Sequence, residues 1–460
     1  MKSKYFGDKA FYKMVLTVAV PIMVQNGFTN VINLLDNLMV GRIGTDQMSG
    51  VAIVNQLMFV FYLSIFGGFS GAGIFVAQYF GSRDNENIKN VIRMKFLIGA
   101  ILLLAGTGII YFLQTPLIEL FLHDGSITGD LDATMGYAKE YLAVMLLGLI
   151  PFVLGQCYTS TLRETGETIL PMKAGIAAVA VNLTLNYILI FGKFGMPALG
   201  VTGAAIATVI SRIVECMIVV IWCVKHKERF PFLFGIFSRF RIPAGIVKNV
   251  VLKGLPLLVN EFLWSASVTM LAHCYSLRGL AAVAGINICN TINNVFNIVF
   301  IAFGDAIAII VGQLLGAGKL AEAKDSARKM RVFAVLICIG IATIMAVTAP
   351  FFPHMYKTTD EVRHLATQFI LIMACLMPVC AYTHASYFTL RSGGKTIITF
   401  LFDSVFAWMI VVPTGLLLAY HTSLPVVWIY LICQGLEVIK MTIAYILVKK
   451  DVWIQNLAQK

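Results

Sequence analysis

One carboxylate, two carboxamides and one hydroxyl could together hold a small cation. They are Asp36, Asn182, Asn186 and Thr202. Asp36 falls in the segment FTNVINLLDNLMVG, residues 28–41, which closes a long apolar stretch. A carboxylate placed in hydrocarbon is costly, so an acid inside such a stretch is a functional candidate by default. The competing reading is an Asp36 solvated at the outer interface. Asn182 and Asn186 are four residues apart, which puts them on one face of a helix. Thr202 stands near the start of the next apolar stretch. At about 1.5 Å of rise per residue, the four fall at similar depth. Their oxygens are hard ligands, suited to Na⁺ or to a proton on Asp36 with hydrogen-bonding neighbours. The structural alternative for each Asn is a bond to a neighbouring helix.

Two more acids lie in apolar stretches of the second half. Glu261 is eight residues beyond Lys253, about 12 Å along a helix, and Asp305 is fourteen residues before Lys319, about 21 Å along. Either could line a cavity. Alternatively Glu261 pairs with a nearby Lys, and Asp305, beside Gly304, caps a kink. Arg212 with Glu215, and Glu437 with Lys440, have the spacing of local pairs. His273 and His384 are expected as hydrogen-bonded core histidines.

The elements that position these residues are membrane spans. The chain has 460 residues, 59% hydrophobic and 13% charged, with a mean hydropathy of +0.84. A soluble domain would be near a quarter charged. Twelve apolar stretches, from 14–38 to 424–447, are each long enough to cross the bilayer. The basic N-terminus is followed by no small-residue cleavage site, so the first stretch is expected as a retained span. With both termini inside, 27 of the 35 Lys and Arg fall on the inner side and 6 on the outer. That asymmetry predicts cytoplasmic termini. It also accounts for the net charge of +12 by attraction to an anionic inner leaflet, without nucleic acid. The nine cysteines form no CxxC pair. They are expected as small apolar residues in a reducing setting.

The spans fall into two copies of one unit. Thr161-Leu162-Arg163-x-x-Gly166-x-Thr168-Ile169 recurs as Thr389-Leu390-Arg391-x-x-Gly394-x-Thr396-Ile397. Val76-Ala77-Gln78-x-x-Gly81 recurs as Val311-Gly312-Gln313-x-x-Gly316, and Pro21 recurs as Pro256 at the same offset. The expected fold is an all-α polytopic membrane protein, with twelve transmembrane helices in two pseudo-symmetric six-helix bundles. The expected boundaries are an N-terminal lobe over 1–224, a cytoplasmic linker over 225–248 and a C-terminal lobe over 249–460. Six spans per half make the repeats parallel, as in transporters that rock around a central cavity. Pro21 and Pro256 can bend their helices and are candidate hinges. The repeated Arg, Gly and Gln residues are expected as anchors and turns.

Chemistry of other classes finds no support. Ser392-Gly393-Gly394-Lys395-Thr396 resembles the end of a phosphate-binding loop, but Thr389 stands where a Gly is needed, and no strand precedes it. There is no HExxH motif. An ion gradient is the remaining energy source. The 20 Met and 32 Phe could supply an adaptable surface for flat cations.

The chain resembles the MATE (multidrug and toxic compound extrusion) transporters over nearly its whole length. The residues that carry the likeness are Pro21 with LLDNLMVGRIG, VAQYFGSRD at 76–84, TLRETGETILP at 161–171, NLTLNYILIFG at 182–192, LGVTGAAIAT at 199–208, GLP at 254–256 and TLRSGGKT at 389–396. The resemblance implies exchange of H⁺ or Na⁺ for organic cations, with the N-lobe cation site at Asp36, Asn182, Asn186 and Thr202. Some members have Asp at the position of Asn186. Glu261 matches an acid of another branch, whose second acid, in span ten, corresponds to Cys380 here. The expectation is a monomeric multidrug exporter of the bacterial inner membrane. It would take small cationic or amphipathic substrates and use no cofactor beyond the coupling ion. The alternatives are a lipid-linked oligosaccharide flippase or a narrow metabolite exporter of the same superfamily.

Overall fold

The computed structural model describes residues 5–121, 130–237 and 241–459, without the side chains of residues 33 and 34. Asn33 of the segment 28–41, and Lys2, Lys4, Arg239 and Lys460 of the basic count, fall outside the described residues or side chains. The described chain is helical and contains no strand. Among the described residues, eleven helices are long and apolar enough to cross a membrane. They are α1 (Lys9–Gly41), α2 (Thr45–Gly81), α3 (Asn85–Phe112), α7 (Ile169–Phe191), α8 (Gly200–Lys225), α9 (Ala244–Ser276), α10 (Leu280–Gly316), α11 (Leu320–Thr348), α12 (Asp360–Ser392), α13 (Thr396–His421) and α14 (Val426–Lys449). Between α3 and α7 lie the short α4 (Gln114–Glu119) and a bent pair, α5 (Leu131–Leu147) and α6 (Leu149–Glu164). Counted as one broken span, that pair brings the number to twelve. Leu104, Phe112 and Leu280 are 75%, 82% and 88% exposed. Such apolar exposure suits lipid and would be unfavourable in water.

The apolar stretch 136–160 is bent, and α5 and α6 meet at 45°. Pro151 has no N–H for the Leu147 carbonyl, which breaks the ladder one turn back. At the bend, a side chain on Gly148 would crowd Val209 of α8. Other signals act as expected. Asp130 caps α5 by accepting from the Asp132 and Ala133 N–H groups, and Thr359 caps α12. Gly166 and Gly394, the repeated turn glycines, have φ of +88° and +72°, which a side chain would resist.

The chain divides into two compact units that do not follow chain order. One comprises residues 24–76 and 85–250. Val54, Met58, Ile65, Leu142, Leu149 and Ala205 form part of its core. The Lys95 ammonium is fully buried there, 2.5 Å from the Glu164 carboxylate and 3.0 Å from the Ser160 hydroxyl. The Arg93 guanidinium donates to the carbonyls of Gly235, Ile236 and Arg241, which ties the connecting segment to α3.

The other unit comprises residues 1–23, 77–84 and 251–460. Ile22, Phe303, Ile307, Met330, Leu390 and Trp453 are part of one of its cores. The two copies of the V-x-Q-x-x-G motif cross here with local two-fold likeness. Gly81 lies against the Gln313 carbonyl, and Gly316 lies against the Gln78 carbonyl. Neither position has room for a Cβ. The Gln78 side chain then gathers the tail. Its amide donates to Ser392 O at 2.8 Å and Gln455 O at 3.3 Å, and its oxygen accepts from Leu457 N at 2.6 Å. Trp453 is buried, and Lys324 pairs with Asp451.

Gly393 is where the tail approaches α12 most closely. A Cβ there would overlap the Trp453 carbonyl, a backbone atom that cannot rotate away. Gly393→Ala is expected to cost about 1–3 kcal/mol, in the range of overpacked sites. The measurement is the thermal unfolding midpoint in detergent. An unchanged midpoint would mean that the tail is not held against α12.

Candidate cation-binding site

The site is built where α1, α7 and α8 meet. Asp36 lies near the end of α1, while Asn182 and Asn186 stand one turn apart on α7 and are both buried. The Asn186 amide nitrogen donates to an Asp36 carboxylate oxygen and, at 3.1 Å, to Asn182 Oδ1. The Asn182 nitrogen donates at 3.3 Å to the hydroxyl of Thr208, which itself donates to Ala204 O at 3.0 Å. The chain of bonds therefore runs from carboxylate to amide to amide to hydroxyl.

Two features set this network apart from a structural one. Asp36 has no ion pair among the described residues, and its bonded partner is a neutral amide. The Asn186 Oδ1 atom is buried and has no hydrogen-bond donor. A buried acceptor without a donor is costly. With the neighbouring carboxylate, it is an arrangement that a cation would complete.

Thr202 is not part of this network. The α8 hydroxyl that meets Asn182 belongs to Thr208, six residues further along. The reason is the register of the α7–α8 hairpin. Gly203 packs against Leu189, so Thr202 sits level with the end of α7, about one turn or more beyond the amides. Tyr141 stands close by, with its hydroxyl 3.4 Å from Asn55 Oδ1. Arg212 and Arg163 are the charges that act on Glu215, but Arg212 makes its close contacts elsewhere. Its guanidinium stacks over Tyr62 at 4.8 Å and Phe152 at 5.2 Å and donates to the Tyr62 hydroxyl.

In the C-terminal half, Glu261 and its neighbour Asn260 lie on α9, which contains Pro256 as α1 contains Pro21. The Arg391 guanidinium and the Asp403 carboxylate are the charges that act on Glu261. Asp305 is half-buried on α10, beside Gly304, which packs against Phe388 and His384 of α12. The acid that meets Asn260 is Asp403 of α13. Sequence reasoning missed it. The available signal was a carboxylate in one apolar span and an ammonium, Lys440, in the next. No group of three or more His, Cys, Asp or Glu is placed to hold a metal among the described residues.

An acid on a bendable first helix and two repeated halves are features common in secondary transporters. The sequence model of the MatE family matches residues 21–188 and again 256–417. The chain belongs to this family of multidrug-efflux transporters. The two matches start at Pro21 and Pro256, the same offset that separates the two V-x-Q-x-x-G motifs. Among curated relatives, the probable multidrug resistance protein NorM of Thermotoga maritima is 25% identical, across 92% of this chain and 89% of that protein. The probable multidrug resistance protein YoeA of Bacillus subtilis is 26% identical, across 89% of this chain and 88% of that protein. An aspartate-to-asparagine variant of the Vibrio cholerae MATE transporter VcmN has the same fold, with a TM-score of 0.87, 17% identity, and coverage of 98% of this chain and 99% of that one.

Proposed function

We propose that this transporter exports organic cations in exchange for H⁺ or Na⁺, and that the ion binds at Asp36. The observation that carries the reading is the contrast at α1: a carboxylate in a membrane-spanning helix, bonded to a neutral amide, beside an amide oxygen with no donor. A bound H⁺ or Na⁺ neutralises Asp36 and satisfies that oxygen. Neutralisation changes how the outer part of α1 packs on α7, and Pro21 lets the two parts of α1 move separately. Pro256 gives α9 the same freedom. An ion that favours one packing of α1 shifts the equilibrium by its differential affinity, and no more. The distribution of Lys and Arg supports cytoplasmic termini, and export in exchange for the ion draws on an inwardly directed gradient. The relatives named as multidrug resistance proteins support the choice of substrate class.

Dye efflux from proteoliposomes tests this reading. Purified protein is reconstituted, loaded with ethidium, and given a pH gradient or a Na⁺ gradient separately. Efflux above that of empty vesicles under one gradient is expected and names the ion. If neither gradient moves a cationic dye, the exchange proposal fails.

A further inference from the structure

Asp403 is held differently from Asp36. It lies on α13 within Leu401–Val405, a wide π-type turn in which backbone bonds skip five residues. One carboxylate oxygen is 2.5 Å from the Lys440 ammonium of α14, and the other accepts from Asn260 of α9 at 2.9 Å. Asn260 is itself fixed, because its Oδ1 accepts from the Ser404 hydroxyl at 2.7 Å. Three helices thus converge on one ion pair. The titratable groups facing the pair are Glu261 on α9, then Cys380, His384 and Tyr387 on α12, and Glu437 on α14, with Arg391 of α12 acting on Glu261, His384 and Tyr387. Glu437 is 3.8 Å from the ammonium, a longer contact than Asp403 makes.

We propose that Lys440 is a tethered counter-cation, whose ammonium takes at Asp403 the place that a mobile H⁺ or Na⁺ would otherwise fill. The C-terminal half then keeps a buried carboxylate without an exchangeable ion. The geometry fits this role. An ammonium is a compact point charge on a flexible stem, and it meets the carboxylate oxygen directly while a neutral amide binds the other oxygen. Asp36 has the amide but no ammonium. The two halves share the motif of acid and asparagine across helices, and they differ in where the positive charge comes from. Lys440 acts on Asp403 by position and charge. It therefore sets the number of ions exchanged per cycle and does not itself take part in exchange. The inference rests on the exchange proposal only for what the mobile ion would do.

The test measures thermal unfolding of purified protein in detergent. Solutions contain Na⁺ or choline at equal ionic strength, at pH 6 or pH 8. Every variant carries Asp36→Asn, so the outcome does not depend on whether Asp36 is the coupling site. Against that background, adding Lys440→Met is expected to create a new cation dependence. Na⁺ or acid should raise the midpoint by about 2 °C or more relative to the parent. Adding Asp403→Asn as well should abolish the new dependence. Lys440→Arg, which keeps the charge, should behave as the parent does. If the Lys440→Met variant folds only with Na⁺ or acid present, that too supports the proposal. The proposal is overturned if this variant gains no cation dependence, if the dependence survives Asp403→Asn, or if the variant fails to fold in every solution.

Discussion

Asp36→Asn is expected to reduce gradient-driven dye efflux to the level of empty vesicles, with the protein still folded and inserted. The substitution keeps the side chain's shape and one oxygen to accept from Asn186, so the packing of α1 against α7 is retained. What is lost is the charge. An amide cannot take up a proton in the working range and binds Na⁺ weakly, so loading the ion no longer changes α1. Moving a two-state element from 1:99 to 99:1 takes about 5.5 kcal/mol of differential binding. A neutral residue cannot supply that through one ion. The check is efflux from proteoliposomes, alongside the unfolding midpoint and the yield in membranes. Retained gradient-driven efflux in the variant would place coupling elsewhere, with Glu261 the next candidate.

The second large effect concerns stability. Lys95→Met is expected to cost about 3–5 kcal/mol, because it leaves Glu164 partly buried with its ammonium removed. The carboxylate lies beside Gly73 of α2. Lys95→Met with Glu164→Gln removes both charges and should recover most of the loss, since replacing both members of a buried ion pair costs less than removing one. Unfolding midpoints of the two single variants and the double variant form the cycle that isolates the coupling. A double variant no more stable than Lys95→Met would show that packing of the Lys95 stem, and not charge, is what matters there.

Much of the fold was legible because membrane helices announce themselves by length and hydropathy, and because two copies of a motif fix the symmetry. The repeated glycines were legible for the same reason, and Gly166 and Gly394 have the positive φ that their motif implied. The bend between α5 and α6 was readable in principle from Gly148 and Pro151, but the apolar run hides it. The site was partly legible. Asp36, Asn182 and Asn186 meet because the two asparagines share a helix face, a local property. Thr202 lies off the network because the hairpin register is set by the packing of Gly203 on Leu189, which spacing alone does not give. Lys440 shows the same limit. Its three-residue spacing from Glu437 predicts a local pair, yet its closer partner is Asp403, brought in by the wide turn of α13.

Competition between ion and substrate at equilibrium tests the central claim most directly. Ethidium binding to the purified transporter would be measured across pH and Na⁺ concentration, for wild type and Asp36→Asn. Linkage requires that if the ion and the dye oppose each other, each weakens the other's binding by the same factor. The account predicts that acid or Na⁺ weakens dye binding to wild type, and that the effect disappears in the variant. A wild-type affinity indifferent to both ions, or a variant that keeps the full dependence, would contradict the assignment of Asp36 as the exchange site.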